Sequence, residues 1–374
     1  MSPARDRLRA PMLRDNLMKQ ILDTTFEPYI PLERFSLFDL ELVRVILRGG
    51  SVLDWHRLNL KRSEINVLLR SQLIDLANPD DQAFVDRIRD EAVIYLRETL
   101  SFPIPKPLRN AGLVELLEMA GDRRNRHRQF CACVLLKAMH TVNHFDAEQA
   151  RLALAMADQE LFQAAERRIY RTLSNMMANG FPVVEFVGGR KQRSSMITKL
   201  LSKGTLAAQL FDKMRFRVIT STMEDVMPII NYLARNLFPF NYGLSSECYN
   251  TLFPFGAFCR EHPQLRKIAK NLQLDSEVEN FQDPLAANKH SSPDYRVVHW
   301  VTDMPIRIPN FQEAFVTDGI DPIPRPIVYV RTELQILDRQ THRHNERGDA
   351  AHSKYKERQR RTVINRLKLG LGRS

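Results

Sequence analysis

The chain has 374 residues, of which 44% are hydrophobic and 26% are charged. This composition allows a buried core and excludes wholesale disorder, and the length suits two domains. No apolar run reaches the ~18 residues that a membrane-spanning helix needs, and the charged first residues lack the apolar region of a secretory signal. Four cysteines in a chain of this length argue against a disulfide scaffold, so we expect a cytoplasmic protein without a membrane segment.

The net charge of +11 is concentrated at the C-terminal end. From Arg339 onward the sequence has 11 Lys or Arg and 3 Asp or Glu, a net charge of +8. A basic segment of this kind suits phosphate-rich ligands or RNA. A solvated basic helix that only aids solubility would carry the same charge, so both interpretations stay open.

Residues 1–180 predict an all-helical domain, because apolar residues recur there at helical spacing. The last helix of this domain is expected to begin at Asp146 as its N-cap. It should end at Gly180, since glycine commonly follows a helix C-terminus. The sequence assigns no role to this domain.

Two pairs of residues in the helical half are candidates for metal binding. Cys131 and Cys133 lie two apart in an apolar stretch, and such residues point to different helix faces, so we expect buried thiols. His140 and His144 share a helix face and could hold a metal. Polar residues near the end of a helix, with Asp146 as the cap of the next one, would show the same pattern.

The character of the sequence changes at Phe181, where short β-branched and aromatic stretches alternate with helical ones. Strands are predicted at 181–187, 214–220, 295–301 and 327–337. Helices are predicted at 190–211, 223–236 and 341–368, the last of them basic, and 241–294 forms an enlarged insert. The fold class is therefore α+β: an N-terminal all-helical domain is followed, over residues 181–374, by a mixed β-sheet domain flanked by helices.

Two acids lie at or within predicted strands. Asp212 precedes a strand, and Glu333 lies inside an apolar one, where a carboxylate is costly unless it is paired or binds a cation. Two such carboxylates on neighbouring strands would make a Mg²⁺ site suited to phosphate chemistry. Ordinary salt-bridged carboxylates remain the alternative for each acid alone.

Three sequence blocks resemble the synthetase domain of the RelA/SpoT family, the (p)ppGpp synthetases. The first block, KQRSSMITK with LFDKMRFRVIT, matches the family at Lys191, Ser195, Lys199, Asp212 and Arg217. The second, DYRVVHW, is similar to the family pattern Tyr-x-x-x-His. It supplies Tyr295 and His299.

The third block is the most specific, with ten matched positions in the stretch ELQILDRQTHRHNERGDAAHSKYK. The matched residues are Glu333, Gln335, His342, Glu346, Gly348, Ala350, Ala351, His352, Tyr355 and Lys356. The resemblance spans Lys191 to Lys356 and implies a nucleotidyltransferase-like fold.

The resemblance implies Mg²⁺-dependent transfer of the β,γ-diphosphate of ATP to the 3′-hydroxyl of GDP or GTP. Asp212 and Glu333 would bind the metal, and Glu333 would help to deprotonate the attacking hydroxyl. The residues implied to hold the ATP phosphates are Arg190, Lys191, Ser195, Lys199 and Arg217. Those implied to contact the acceptor are Tyr295, His299 and Gln335. The last block adds a motif helix with His342, Glu346, His352, Tyr355 and Lys356.

Several positions depart from the family pattern. Gly189 and Asp225 stand where the family has arginines that stack on adenine. The approach to Tyr295 lacks the family's Lys-x-Asn-Gly, and Leu337-Asp338 replace an Arg-Thr pair. These departures leave two alternatives open. One is modification of an RNA such as tRNA, and the other is an inactive nucleotide-binding regulator.

Full-length family members also carry a hydrolase domain, which needs a His-Asp dipeptide that binds metal. The sequence contains no such dipeptide, so we expect no hydrolase activity. The oligomeric state stays open.

Overall fold

The computed structural model describes nine ranges of the chain: 26–49, 53–153, 158–190, 193–203, 214–244, 247–272, 292–308, 327–347 and 352–369. Helices occupy the ranges before residue 180, and one five-stranded sheet follows them. The predicted α+β class with a mixed sheet is confirmed. None of the helices in these ranges is long and apolar enough to cross a bilayer.

Seven α-helices precede the sheet: α1 Leu37–Arg48, α2 Arg62–Ser71, α3 Pro79–Ile94, α4 Lys106–Arg109, α5 Leu113–Gly121, α6 Arg126–Ala153 and α7 Asp158–Ala178. Short 3₁₀ segments lie at Leu32–Arg34 and Trp55–Arg57, and a π turn at Tyr95–Thr99. Local signals set the helix starts. Ser36 and Asp39 form a reciprocal capping box at α1.

The prediction that Asp146 caps a helix is wrong. Asp146 lies inside α6, where its Oδ2 is 2.6 Å from Arg87 Nη2 on α3. Asp146 is 7% exposed, and this arginine partner offsets the cost of burying its carboxylate inside the helix. The prediction for Gly180 is confirmed, since it follows α7 with a φ of +67° and its N–H donates to the Met177 carbonyl.

The buried thiols expected at Cys131 and Cys133 are also confirmed, with 0% and 6% exposure. Burial raises the pKa of the Cys133 thiol to about 11. Both residues therefore belong to the apolar core of the helical half.

The sheet contains the strands β1 Val183–Arg190, β2 Met214–Thr220, β3 Tyr249–Asn250, β4 Val298–Arg307 and β5 Ile327–Asp338. Their order is β1-β2-β5-β4-β3, with β2 and β5 parallel and the other neighbours antiparallel. The four predicted strands are confirmed: β2 has the predicted ends, and the other three differ at one or both ends. The two-residue strand β3 lies in the insert and was not predicted.

The second half also contains the helices α8 Arg193–Lys203, α9 Val226–Asn236, α10 Phe255–Glu261, α11 Arg266–Ala269, α12 Arg339–Asn345 and α13 His352–Leu369, and a 3₁₀ turn at Phe240–Tyr242. The prediction of a single helix over 341–368 is wrong, because α12 ends at Asn345. The Asn345 amide bonds the backbone N–H and carbonyl of Arg296, at 3.1 and 2.6 Å. These two hydrogen bonds hold the end of α12 beside the start of β4.

One hydrophobic core joins the helices to the apolar face of the sheet, with Leu40 and Ile65 in the same cluster as Phe216 and Trp300. Buried ion pairs also cross between the two halves. They join Asp39 to Arg235 at 2.6 Å and Asp81 to Arg307 at 2.9 Å. The predicted division into domains at residue 180 remains a prediction.

Candidate functional site

Polar side chains line the opposite face of the sheet, on its three central strands. Arg215 of β2 lies opposite Glu333 of β5, and Arg217 lies opposite Gln335. His299 of β4 is the partner of Gln335 on the other side. Because alternate residues of a strand point to the same side, these five side chains share one face.

The centre of this cluster is the carboxylate of Glu333, whose side chain is 2% exposed. Its Oε1 accepts hydrogen bonds from Arg215 Nε at 2.8 Å and Gln335 Nε2 at 3.1 Å. His299 Nε2 lies 3.1 Å from the same oxygen. A buried charge needs such partners, so the expectation of a paired acid inside an apolar strand is met.

His299 is held in one orientation by two contacts from the insert. Its Nδ1 lies 2.9 Å from the Glu247 carbonyl oxygen, which can only accept, so Nδ1 is the donor. The Tyr249 ring stacks on the imidazole with centroids 4.5 Å apart and an interplanar angle of 9°. The other ring nitrogen is therefore directed at Glu333.

Arg217 connects β2 to the motif that follows β5. Its Nη2 and Nε lie 3.1 and 3.2 Å from Gln335 Oε1, and its Nη1 lies 3.1 Å from Glu346 Oε1. Glu346 immediately follows α12 and is 48% exposed. The arginine thus lies at the rim of the cluster, between a buried amide and a solvent-facing carboxylate.

Two tyrosines bring aromatic surface to the cluster. Burial is the main cause that raises the pKa of both Tyr249 and Tyr295. For Tyr295 the positive charges of Arg217 and Arg215 oppose this rise. Both phenols are therefore neutral at pH 7. Aromatic rings beside charged groups suit a ligand that combines a planar ring with anionic groups.

The other predicted site residues lie on several elements or outside the described ranges. Ser195 is half-buried on α8, His342 lies on α12, and Tyr355 and Lys356 lie on α13, where Lys356 is exposed. Arg190 ends β1 opposite Met214. Several predictions fall outside what the structure describes: Lys191 and Asp212 entirely, and the side chains of Arg190, Lys199 and His352.

The chemistry of Glu333 fits Mg²⁺. This ion prefers oxygen ligands and commonly takes one or two carboxylates together with substrate phosphates. The predicted second carboxylate, Asp212, is not among the described residues, and those residues contain no group of three or more His, Cys, Asp or Glu that could hold a metal. Arg215 lies on Glu333 Oε1, so it must move for a metal to bind that oxygen.

His140 and His144 lie on α6 against the same sheet, but further along it. The His144 ring is 4.9 Å from the Tyr242 ring and 4.6 Å from the Tyr329 ring. Burial, as the main cause, lowers the pKa of His140 to about 3 and that of His144 to about 4. These are neutral packed histidines in a helix interior, so the expectation that they mark a helix end is wrong.

Sequence reasoning missed two members of the cluster, Arg215 and Tyr249. The alternation in MRFRVIT offered a signal for Arg215, because it lies two residues before Arg217 and so faces the same side. Tyr249 gave no such signal, since it lies in the irregular insert.

No protein-family model matches this chain, and no curated protein matches it. The chain is similar to solved structures that include small alarmone synthetases. Small alarmone synthetase 2 from Bacillus subtilis is 17% identical, with 57% of this chain and 92% of that chain covered and a TM-score of 0.27.

Small alarmone synthetase 1 from Bacillus subtilis, bound to its product pppGpp, is 14% identical over 55% of this chain and 87% of that chain, with a TM-score of 0.29. A GTP pyrophosphokinase family protein from Streptococcus pneumoniae is 13% identical over 56% and 87%, with a TM-score of 0.27. At such identities and TM-scores, these similarities do not define an activity for this chain.

Proposed function

We propose that this chain is a Mg²⁺-dependent transferase that moves the β,γ-diphosphate of ATP to the 3′-hydroxyl of GDP or GTP, in the cytoplasm. One observation carries the proposal. Residues from three separate sequence blocks meet in one cluster, in which Arg217 bonds Gln335 and Glu346, and His299 contacts Glu333. These are the blocks whose residues resemble the (p)ppGpp synthetases.

Glu333 is the proposed base of this reaction. It takes the proton of the 3′-hydroxyl as that oxygen bonds to the β-phosphorus, and the bond from the β-phosphorus to the bridging oxygen of AMP breaks. Asp212 and Glu333 are the proposed ligands of Mg²⁺, which when bound neutralises charge that develops on the phosphates. Burial of Glu333 and its contacts from two neighbouring strands support this role, because they hold its carboxylate in one position.

Basic and hydroxyl groups of the first block are proposed to hold the ATP phosphates. Positioning and charge neutralisation supply most of the catalysis in phosphoryl-group transfer. Arg217 supports this role because its guanidinium lies beside the Glu333 cluster and is 21% exposed. The full proposed set is Arg190, Lys191, Ser195, Lys199 and Arg217.

The acceptor nucleotide is proposed to lie against the aromatic side of the cluster. Tyr295 would stack on the guanine, with His299 and Gln335 beside it. The backbone of Tyr295 is anchored, since Thr251 Oγ1 donates to its carbonyl at 3.2 Å. The motif residues His342, Glu346, His352, Tyr355 and Lys356 are proposed to support this site from α12 and α13.

A second candidate, modification of an RNA such as tRNA, is favoured by one observation. Among the described side chains of α13, five basic residues are exposed: Lys354, Lys356, Arg360, Arg361 and Lys368. Phosphate backbones bind such surfaces with little dependence on sequence.

The test is incubation of the full-length protein with Mg²⁺, ATP labelled at its γ-phosphate, and GDP, GTP or total tRNA in parallel. The expected result is label in the guanine nucleotide with an equal amount of AMP, and no transfer by a Glu333→Gln variant. Label in tRNA would favour the second candidate instead. Absence of transfer to every acceptor would overturn the proposal and leave an inactive nucleotide-binding regulator.

A further inference from the structure

The two members of the Arg215–Glu333 ion pair differ in their exposure to solvent. The carboxylate is 2% exposed, whereas the Arg215 side chain is 37% exposed. Glu333 is also held by Gln335 and His299, each 3.1 Å from its Oε1. The acid is therefore the fixed member of the pair. Arg215 lies at the rim, on a long side chain that can reach other positions.

The guanidinium of Arg215 and a divalent cation compete for one oxygen. Arg215 Nε lies 2.8 Å from Glu333 Oε1, so a metal bound there would face a positive charge a few ångströms away. A bound nucleotide would relieve this competition between the guanidinium and the metal ion. Its phosphates offer the guanidinium a partner that matches the planar, forked arrangement of its N–H donors.

We propose that Arg215 is an exchangeable counter-ion of Glu333. Without a nucleotide, Arg215 neutralises the carboxylate and disfavours a divalent cation there. When a nucleotide polyphosphate enters, Arg215 moves onto a phosphate oxygen and leaves Glu333 to the metal. This inference rests on the proposed function and deepens it, because it makes Arg215 a phosphate-binding residue and couples metal binding to nucleotide binding.

The test compares two affinities of the full-length protein and its Arg215→Gln variant. Mn²⁺ binding without nucleotide is measured by electron paramagnetic resonance. Binding of a non-hydrolysable ATP analogue with Mg²⁺ is measured by calorimetry. The variant should bind Mn²⁺ about tenfold more tightly, because a competing charge is gone, and the analogue about tenfold more weakly. A purely structural role would not move the two affinities in opposite directions.

Arg331→Gln is the matched control. Arg331 lies two residues from Glu333 on the same strand and is paired with Asp303 at 3.0 Å. Its loss should change both affinities much less than Arg215→Gln does. An equal gain in Mn²⁺ affinity would point to a general charge effect and overturn the inference. If Arg215→Gln does not fold, Arg215→Lys replaces it. This variant should show a smaller gain in Mn²⁺ affinity, because lysine keeps the positive charge although its compact ammonium cannot form the same fork.

Unchanged or weaker Mn²⁺ binding by the folded Arg215 variants would overturn the inference and make Arg215 a fixed structural partner. A different result of the same measurements would contradict the proposed function. If the wild-type protein does not bind the ATP analogue with Mg²⁺, both proposals fall. If it binds the analogue and the Mn²⁺ affinities do not differ, only the inference does.

Discussion

His299 Nε2 lies 3.1 Å from Glu333 Oε1. The contact joins β4 to β5 and therefore brings the second and third sequence blocks to one carboxylate. His299 is itself oriented by the Glu247 carbonyl and the Tyr249 ring. A group held this firmly, at a buried acid, is suited to chemistry that depends on fixed positions.

Glu333→Gln should reduce the rate of diphosphate transfer at least ~10²-fold, because Gln cannot take a proton or bind Mg²⁺ as a carboxylate does. It keeps an acceptor oxygen for the Gln335 amide. We therefore expect the melting temperature to fall by only a few degrees. Steady-state rates and thermal unfolding of the same preparations check this. Asp212→Asn is expected to reduce the rate in the same way.

Glu185→Gln is the control for this experiment, since Glu185 is an exposed acid on β1. It should leave both rate and melting temperature unchanged. Full activity in Glu333→Gln would remove the residue from the mechanism. If Glu333→Gln unfolds the protein while Glu185→Gln does not, Glu333 is mainly structural.

The strands were predictable because their signals are local. Alternation in MRFRVIT and the β-branched run at the start of β5 specify extended chain without reference to other segments. Tyr249–Asn250 is too short for such a pattern and becomes a strand by pairing with Val298 and His299. The end of α12 likewise depends on Asn345, whose partner Arg296 is distant in sequence.

The candidate site likewise contains residues that the sequence predicts and residues that it does not. Arg217, His299, Glu333 and Gln335 match a motif and the structure places their side chains together, while their roles remain predictions. Arg215 was not found, because its importance comes from the register that sets β2 against β5. The sequence alone does not specify which residues of two neighbouring strands lie opposite each other.

Gly188→Ala should destabilise the protein by about 1–3 kcal/mol. A Cβ at this position of β1 would lie 2.3 Å from the ring of Phe216, which is fully buried, so the ring or the backbone would have to shift against packed neighbours. Gly189→Ala is the matched control, because its Cβ would meet nothing within 4 Å. Chemical denaturation of both variants checks the difference, and equal stabilities would contradict the close packing of β1 on Phe216.

The stability of the fold should fall as the pH drops below 6.5. The pKa values of His140 and His144 are lowered from 6.5 to about 3 and about 4, chiefly by burial, and the Arg331 charge acts on His144 as well. The unfolded chain therefore binds more protons than the folded one between pH 6.5 and about 4. This contribution to stability is complete above pH 6.5. Each histidine should remove up to about 1.4 kcal/mol per pH unit below it.

Denaturation midpoints at pH 7.5, 6, 5 and 4.5 measure this dependence. The double variant His140→Gln with His144→Gln should show a clearly flatter profile than the wild-type protein, whatever its absolute stability. Parallel profiles would mean that the two rings remain accessible to protons in the folded state.

If the protein binds RNA through α13, affinity for tRNA should fall steeply with salt, because each neutralised phosphate releases counterions. Replacement of the exposed Lys354, Lys356 and Arg360 by Gln should weaken binding and lower the slope of log K against log salt by about 1 per lost contact.

Replacement of Lys61, Arg62 and Lys106, exposed in the helical half, removes the same charge elsewhere and should alter the slope little. Filter binding between 50 and 200 mM salt, roughly the range over which such contacts are lost, measures both. Equal effects of the two triple variants would exclude α13 as a specific RNA surface, and salt-independent or absent binding would leave free nucleotides as the substrates to pursue.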